Sequence, residues 1–297
     1  LVDIDEHRLH MAESLVTRYC RESNMKLEVH SFTDRRKALK GAEYVICAVK
    51  IDGYGPLEKE REIAERRGFY RGIGDRVSCY YGGIGAYHQI RFLEEVAKDM
   101  EELCPDAWLV QTANPVFEGT NYVTKHFSIK AVGVCHGHNA YKEIAEELGL
   151  DLQFVNAEVV GFNHCVWLTK FLYKGKDAYP LLDKWIEEKS EEYWKSEKYM
   201  DPNRVFSKDQ LSPGAIEAYR LYGVMPIGDA VRSGTPWWTH TDFETKCKWY
   251  GKNGGFDSEI GWKSYLDSKV DIQERLNEIV ESGKSVMEEY RPSETTE

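Results

Sequence analysis

The sequence lacks long apolar runs and any excess of basic residues, and each absence argues against a class of protein. No stretch approaches the roughly 18 consecutive apolar residues that a transmembrane helix needs. Lys and Arg number 39 against 50 Asp and Glu, which gives a net charge of −11. Nucleic acids and anionic membranes bind clustered Lys and Arg, so neither is expected as a partner.

Paired cysteines are also missing from the sequence. The seven cysteines are an odd number, they are scattered along the chain, and no short repeated spacing joins them. This usage is typical of a reducing compartment rather than of a disulfide framework. We therefore expect a cytoplasmic protein.

What the chain does have is a globular composition, with 42% hydrophobic and 30% charged residues over 297 positions. This length is enough for one large domain or two modest ones. Residues 1–5 read like the end of a buried strand, so we expect the fold to begin upstream of Leu1.

Predicted strands and helices alternate up to residue 150. The helices are predicted over 6–22, 35–39, 86–102, 116–125 and 140–148, and the strands over 1–5, 26–32, 44–49, 108–112 and 131–134. Alternation of this kind predicts an α/β fold with a Rossmann-like doubly wound parallel sheet over 1–150. The apolar run at 44–49 predicts a strand that is covered on both faces.

After residue 150 the pattern changes. Residues 155–173 read as strands or a hairpin with a turn at 174–176, and helices are predicted over 181–194, 216–222 and 260–290. We therefore predict a second domain of mixed strands and helices over 151–297.

Cys135 and His164 are the candidate metal ligands, because thiolate and imidazole both bind transition metals. Cys135 follows a predicted strand, as does Asn114, and ligands of such sheets bind beyond the carboxyl ends of the strands. The alternatives are a small buried thiol for Cys135 and a simple turn for Asn114 and Pro115.

Acidic residues give two further candidates. Asp3 follows the first predicted strand, where dinucleotide folds place the carboxylate that binds ribose, although it could instead cap the next helix. Asp229 and Arg232 lie three residues apart, which is equally consistent with a local ion pair.

Taken together, these segments resemble glycoside hydrolase family 4 over nearly the whole chain. The segments that carry the resemblance are residues 1–9, 111–119, 135–139, 161–164 and 222–229. The resemblance implies a lactate/malate-dehydrogenase-like NAD-binding domain and a mixed α/β substrate domain, which we expect to continue beyond the last residue. It further implies a requirement for NAD and a divalent metal, usually manganese. It also implies glycoside hydrolysis by oxidation at C3 of the sugar, elimination at C1 and addition of water, an exception to two-carboxylate chemistry.

Residue roles follow from the same resemblance. Cys135 and His164 would be the metal ligands, Asn114 would bind substrate hydroxyls beside the metal, and Asp3 would hold the adenosine ribose. The resemblance leaves the base open between Asp229 and Tyr222, and we favour Asp229. Arg232 would be a charge partner of Asp229 or a substrate clamp. The resemblance suggests His136 as the acid and as a substrate-binding residue.

The substrate implied by Cys-His-Gly-His-Asn at 135–139 is an α-linked uronic acid, particularly an α-galacturonide. Its carboxylate would favour an arginine, for which Arg232, Arg71 and Arg76 are candidates. The alternatives within the family are an α-glucosidase or an α-glucuronidase. The family often forms dimers or tetramers, so a homo-oligomer is expected.

Two other classes are alternatives. A 2-hydroxy-acid dehydrogenase on the same fold would need a catalytic His with a partner Asp and no metal. A sugar- or nucleotide-binding protein without catalysis would leave Cys135, His164 and Asp229 without a purpose. Dependence on a metal distinguishes both from the glycosidase.

Overall fold

The structure, a computed structural model, describes residues 1–51, 86–200, 209–233 and 259–289, together with isolated residues between these ranges. The helices of these ranges are α1 (Glu6–Glu22), α2 (Arg35–Leu39), α3 (Tyr87–Leu103), α4 (Val116–His126), α5 (Tyr141–Glu147), α6 (Tyr179–Tyr193), α7 (Glu197–Met200), α8 (Pro213–Tyr222), α9 (Ala230–Ser233), α10 (Glu259–Ser282) and α11 (Val286–Glu289). The strands are β1 (Tyr44–Cys47), β2 (Trp108–Gln111), β3 (Lys130–Gly133), β4 (Val155–Phe162), β5 (Cys165–Tyr173), β6 (Lys176–Asp177) and β7 (Met225–Ile227).

The first half of the chain is organised around a parallel sheet in the order β1-β2-β3. Tyr44 is aligned with Trp108, and Trp108 with Lys130, so the three strands end at the same edge. Helices α3 and α4 contribute Leu93 and Val123 to the core that the sheet buries. The arrangement brings the segments that follow β2 and β3 side by side.

The opposite face of this sheet is open within the described residues. Tyr44 is 69% exposed and Ile46 is 71% exposed, whereas Cys47 is buried. The prediction that residues 44–49 are covered on both faces is therefore wrong. Helix α1 packs against α10 and α11.

Helix α1 has the bounds that the sequence predicts, because Asp5 caps it. The Asp5 carboxylate accepts hydrogen bonds from the backbone N–H groups of His7 and Arg8, which have no partner within the helix. The predicted strands at 1–5 and 26–32 form only a single parallel bridge between Val2 and Phe32.

The two ends of the described chain are in contact. The Arg18 guanidinium of α1 donates hydrogen bonds to the carbonyls of Ile279, Val280 and Lys284 at the end of α10. The carboxylate of Glu22 accepts a hydrogen bond from the backbone N–H of Met287. None of the described helices is long and apolar enough to cross a membrane.

The second half contains an antiparallel sheet in which β5 pairs with β4, β6 and β7. The predicted turn is confirmed, since Lys174 and Gly175 connect β5 to β6 with positive φ angles. A second turn, at Asn163 and His164, connects β4 to β5 and was not predicted. This sheet and the helices around it bury one large core, which includes Phe171, Leu182, Trp185, Ile216 and Ile227.

A buried ion pair ties α2 to α3 and gives a prediction for stability against pH. Asp99 is buried and contacts Arg36 and the Arg35 Nε atom, which lies 2.6 Å from its Oδ2 atom. Burial alone would raise the pKa of the Asp99 carboxyl, but the two arginines outweigh burial and hold that pKa below its usual value. The carboxylate therefore stabilises the fold above the unfolded pKa, about 3.9, and this contribution is lost as the pH falls through the lower folded pKa.

We expect Asp99→Asn to lower the free energy of unfolding at pH 7 by about 1–3 kcal/mol, between the values for exposed and buried pairs. The difference from the wild type should shrink as the pH falls below 4. Urea unfolding at several pH values measures the loss of unfolding free energy at pH 7 and its decrease in acid. Asp267→Asn is the control, because its ion pair with Lys263 is exposed and should be worth less than about 1 kcal/mol. A constant difference across the acid range would contradict the assignment.

Candidate functional site

Three segments that are far apart in the sequence meet at one place. Cys135 lies two residues beyond β3, His164 lies in the turn between β4 and β5, and Asp229 lies two residues beyond β7. The Nε2 atom of His164 lies 3.8 Å from the Cys135 Sγ atom and 3.1 Å from the Asp229 Oδ2 atom. We call these three residues the Cys135–His164–Asp229 cluster.

The cluster is largely shielded from water. His164 and Asp229 are both buried, and Cys135 is half-buried. A buried carboxylate is costly unless a charged or hydrogen-bonding group compensates for its lost hydration. The imidazole of His164 provides that compensation, because its ring nitrogen is within hydrogen-bonding distance of Asp229.

A tight turn places His164 in the cluster. Phe162 of β4 pairs with Cys165 of β5, so Asn163 and His164 are the two residues of the connection. His164 has a φ of 60°, in the left-handed region that residues other than glycine adopt infrequently. Such conformations cost about 1–3 kcal/mol and are concentrated at functional sites, where the surrounding structure maintains them.

Two glycines bring the segments of Cys135 and Asp229 into backbone contact. Gly137 and Gly228 are both buried, and Gly228 has a positive φ of 60°. A Cβ atom on Gly228 would lie only 2.6 Å from the Gly137 Cα atom. Only glycine fits at position 228 without displacing the neighbouring chain.

The spacing of the cluster is compatible with a bound metal ion. Typical bonds from zinc to sulfur (about 2.3 Å) and to a ring nitrogen (about 2.1 Å) add up to about 4.4 Å, so one ion can bind two donors that are 3.8 Å apart. Within the described ranges no three side chains of His, Cys, Asp or Glu form a group with metal-binding geometry. Cys135 and His164 could therefore provide two donors, and other positions would remain open, as catalytic metals require.

Asn114 and Asp3 lie elsewhere at strand ends. Asn114 follows β2, the strand beside β3, and its peptide bond to Pro115 is cis. Asp3 follows the bridge residue Val2, and its Oδ1 atom accepts a hydrogen bond from the backbone N–H of Asp5. The alternative role for Asp3 as the helix cap is not observed, because Asp5 caps α1.

Tyr222, the alternative base, ends α8 and is 45% exposed. Its ring packs edge-on against the ring of Trp167, with 5.0 Å between the ring centroids. The backbone of His136 begins a short 3₁₀ helix directly after Cys135. The side chains of His136 and Arg232, and the whole of Arg71 and Arg76, lie outside the described residues.

Two polar residues near these segments were not among the predicted site residues. Gln210 is buried and forms two hydrogen bonds with the backbone of Gly228. Glu118 lies in the first turn of α4, after Asn114, and burial raises the pKa of its carboxyl. The sequence around Gln210 gives no signal of its role. Glu118 lies four residues after the candidate Asn114, and this proximity could have identified it as a candidate site residue.

Family models match most of the chain. The model described as family 4 glycosyl hydrolase matches residues 1–150, and the model of the C-terminal domain of this family matches residues 159–296. The fold is therefore that of a sugar-hydrolase family. The chain belongs to glycosyl hydrolase family 4, which confirms the resemblance stated from the sequence.

Curated relatives have several sugar specificities. The chain is 36% identical over 196 residues to an alpha-galactosidase of Bacillus subtilis, a match that covers 64% of this chain and 44% of the relative. It is 26% identical over 208 residues to an alpha-galacturonidase of the same organism, again covering 64% of this chain and 44% of the relative. The matched part thus spans less than half of the length of each relative.

Solved structures confirm the predicted fold class. A 6-phospho-alpha-glucosidase from gut microorganisms, in complex with NAD and Mn²⁺, has a TM-score of 0.69 at 15% identity, with 96% of this chain and 62% of that chain covered. A 6-phospho-beta-glucosidase of Thermotoga maritima, with manganese, NAD⁺ and glucose-6-phosphate, has a TM-score of 0.62 at 19% identity, with 94% and 59% covered. The chain has a Rossmann-like parallel sheet followed by a mixed α/β part.

Proposed function

We propose that the protein is an NAD- and manganese-dependent α-glycosidase that acts on an α-linked galactoside or galacturonide. The observation that carries the proposal is the position of the His164 ring nitrogen, which lies within 3.8 Å of the Cys135 thiol and 3.1 Å of the Asp229 carboxylate. Membership of the family and the NAD and Mn²⁺ bound to a related enzyme support it.

In this proposal Cys135 and His164 hold the metal. A divalent ion there would act as a Lewis acid toward oxygens of the bound sugar. Asn114 binds sugar hydroxyls beside it, since its segment follows β2 at the same edge of the sheet as the segment of Cys135. The burial of His164 and Asp229 keeps water away and strengthens the electrostatic interactions of the site.

Asp229 is the proposed base that removes a proton from the sugar. A base must lie within hydrogen-bonding reach of the proton it removes, and the Asp229 carboxylate lies beside a proposed metal ligand. His136 follows Cys135 directly, and we propose it as the acid that protonates the leaving group. Tyr222 is the alternative base. Arg232 is the proposed charge partner of Asp229, or a clamp for the substrate.

Asp3 is the proposed ligand of the NAD ribose. NAD supplies a hydride acceptor, while the protein orients it. The backbone N–H of Asp5 donates a hydrogen bond to one oxygen of the Asp3 carboxylate, which fixes the direction of that carboxylate.

The choice of a galacto-configured sugar rests on two relatives, one named an alpha-galactosidase and one an alpha-galacturonidase. The higher identity of the first favours a neutral galactoside, whereas Cys-His-Gly-His-Asn at 135–139 favours a uronic acid. An α-glucosidase or an α-glucuronidase is the alternative within the family.

A 2-hydroxy-acid dehydrogenase is the second candidate, because one observation favours it. His164 and Asp229 form the pair of imidazole and carboxylate that such an enzyme needs. The Cys135 thiol beside the same nitrogen has no role in that chemistry, whereas it is a metal ligand in the glycosidase. Metal dependence distinguishes the two functions.

The experiment measures release of p-nitrophenol from the α-galactoside, α-galacturonide and α-glucoside by the purified protein. It is run with and without NAD⁺ and Mn²⁺ under reducing conditions. We expect cleavage that requires both cofactors, and the preferred substrate identifies the sugar. Cleavage that is indifferent to both would overturn the mechanism. Oxidation of 2-hydroxy acids without metal would support the dehydrogenase instead.

A further inference from the structure

Gln210 forms an unusual pair of hydrogen bonds with one glycine. Its Oε1 atom accepts a hydrogen bond from the Gly228 N–H at 2.9 Å, and its Nε2 atom donates one to the Gly228 carbonyl at 3.2 Å. The side chain is only 2% exposed, so water does not compete for these bonds. One amide group therefore bonds to both polar backbone groups of Gly228, whose carbonyl also accepts a hydrogen bond from the Val231 N–H at 3.4 Å.

Gly228 depends on this side chain because the sheet does not reach it. The pairing of β7 with β5 ends at Ile227, opposite Val166. A buried backbone group without a partner is costly, so the Gln210 amide takes the place of the next strand residue. Without the amide, the Gly228 carbonyl would keep the Val231 N–H, but the Gly228 N–H would have to move toward another acceptor.

Gly228 in turn connects both halves of the cluster. It directly precedes Asp229, and a Cβ atom on Gly137 would lie 3.6 Å from the Gly228 Cα atom and 3.8 Å from the Asp229 nitrogen. Gly137 lies two residues after Cys135. A displacement of Gly228 would therefore move the Asp229 carboxylate and also change the packing of the segment that carries Cys135.

The two residues that follow Gln210 are held in place by hydrogen bonds. The Trp194 Nε1 atom donates a hydrogen bond to the carbonyl of Leu211, and the Ser212 hydroxyl caps α8 by accepting from the backbone N–H of Ala215. The short 3₁₀ helix at Asp209–Leu211 also packs against α5 and α8. The amide is thus a rigid support rather than an adaptable one.

We propose that Gln210 is a positioning residue that holds the Asp229 carboxylate against His164 and fixes the geometry of the Cys135–His164–Asp229 cluster. In the metal-free chain Asp229 contacts the same His164 Nε2 atom that would bind the metal, so the position of Asp229 affects how readily that nitrogen takes up an ion. The positioning role stands on the geometry of the chain alone, and its effect on metal affinity rests on the proposed function.

Gln89 provides a matched control. It is also 2% exposed, and its amide likewise accepts from a backbone N–H, that of Ile51, and donates to a carbonyl, that of Val49. Replacing either glutamine by methionine removes two buried hydrogen bonds while the side-chain length is kept. The two variants should lose similar stability. A difference between their effects on the Cys135–His164–Asp229 cluster would therefore come from where the glutamine lies.

The first measurement records the ¹⁵N chemical shifts of the His164 ring in the metal-free chain. Loss of the resonances in His164→Asn assigns them, and Asp229→Asn gives the shifts of a ring that has lost its carboxylate. We expect Gln210→Met to move the shifts more than half of the way to those of Asp229→Asn. Gln89→Met should keep the wild-type shifts.

The second measurement is Co²⁺ affinity, followed by the thiolate-to-cobalt absorption that Cys135→Ser should abolish. We expect the dissociation constant of Gln210→Met to rise about 10–100-fold, as for other outer-shell partners. Gln89→Met should stay within about twofold, well below the outer-shell effect. Gln210→Glu keeps the acceptor for the Gly228 N–H. Its dissociation constant for Co²⁺ should lie between those of Gln210→Met and the wild type.

The outcomes separate the positioning role from the proposed function. Wild-type ring shifts in folded Gln210→Met would overturn the positioning role. Equal displacement of the ring shifts in Gln89→Met would do so as well, since the effect would then be one of general stability. Displaced shifts in Gln210→Met, with no thiolate-to-cobalt absorption in the wild type, would support positioning and overturn the proposed metal site.

Discussion

Cys135→Ser is expected to abolish NAD- and Mn²⁺-dependent cleavage and to weaken metal binding by more than about a hundredfold. Even outer-shell partners change metal affinity by about 10–100-fold, so the loss of a direct ligand should exceed that range. A thiolate binds metal, whereas a serine hydroxyl stays protonated at neutral pH and is a poor ligand. Enzyme assays and Co²⁺ titration under reducing conditions measure the two effects.

Cys165→Ser is the matched control for that experiment. Cys165 directly follows His164, and its thiol is half-buried, as is that of Cys135. We expect this variant to keep activity and metal affinity near the wild-type values. An equal loss in both variants would mean that the loss is not specific to the Cys135 thiol. Full activity in Cys135→Ser would remove the thiol from the site.

Gly228→Ala is expected to lower the free energy of unfolding by about 2–5 kcal/mol. A left-handed conformation costs a residue with a Cβ atom about 1–2 kcal/mol. Forcing extra atoms into a packed interior typically costs about 1–3 kcal/mol more. The second cost applies because the new methyl would lie 2.6 Å from the Gly137 Cα atom. Urea unfolding of the metal-free chain measures the sum.

Gly223→Ala separates the two costs. Gly223 has a φ of 74° at the end of α8, and a Cβ atom there would meet nothing within 4 Å. Only the conformational cost of about 1–2 kcal/mol should appear. If both variants lose the same stability, the close approach of Gly228 to Gly137 does not constrain the fold.

Local signals predicted most of the helices and strands. Helix α1 agrees at both ends because Asp5 supplies a capping carboxylate and the apolar periodicity continues to Glu22. Helix α4 ends one residue later than predicted, at His126. The division into domains at residue 150 remains a prediction, as do the residue roles and an oligomeric state.

The features that build the site were harder to predict, because they depend on contacts between distant segments. The Asn163–His164 turn lacks the glycine that usually marks a two-residue connection. The hydrogen bonds of Gln210 join residues that are 18 positions apart. Gly228 and Gly137 are in close steric contact although they are 91 positions apart. No periodicity in the sequence records such contacts.

The contact between Arg18 and the last helices has a consequence for how the chain folds. The guanidinium of Arg18 joins carbonyls that are 261 to 266 positions away. Contacts of such long sequence separation form late, because closing a long loop costs entropy before the contact can repay it. During synthesis α1 leaves the ribosome well before its partners α10 and α11. Helix α1 must therefore wait for the chain between them before its native partners exist.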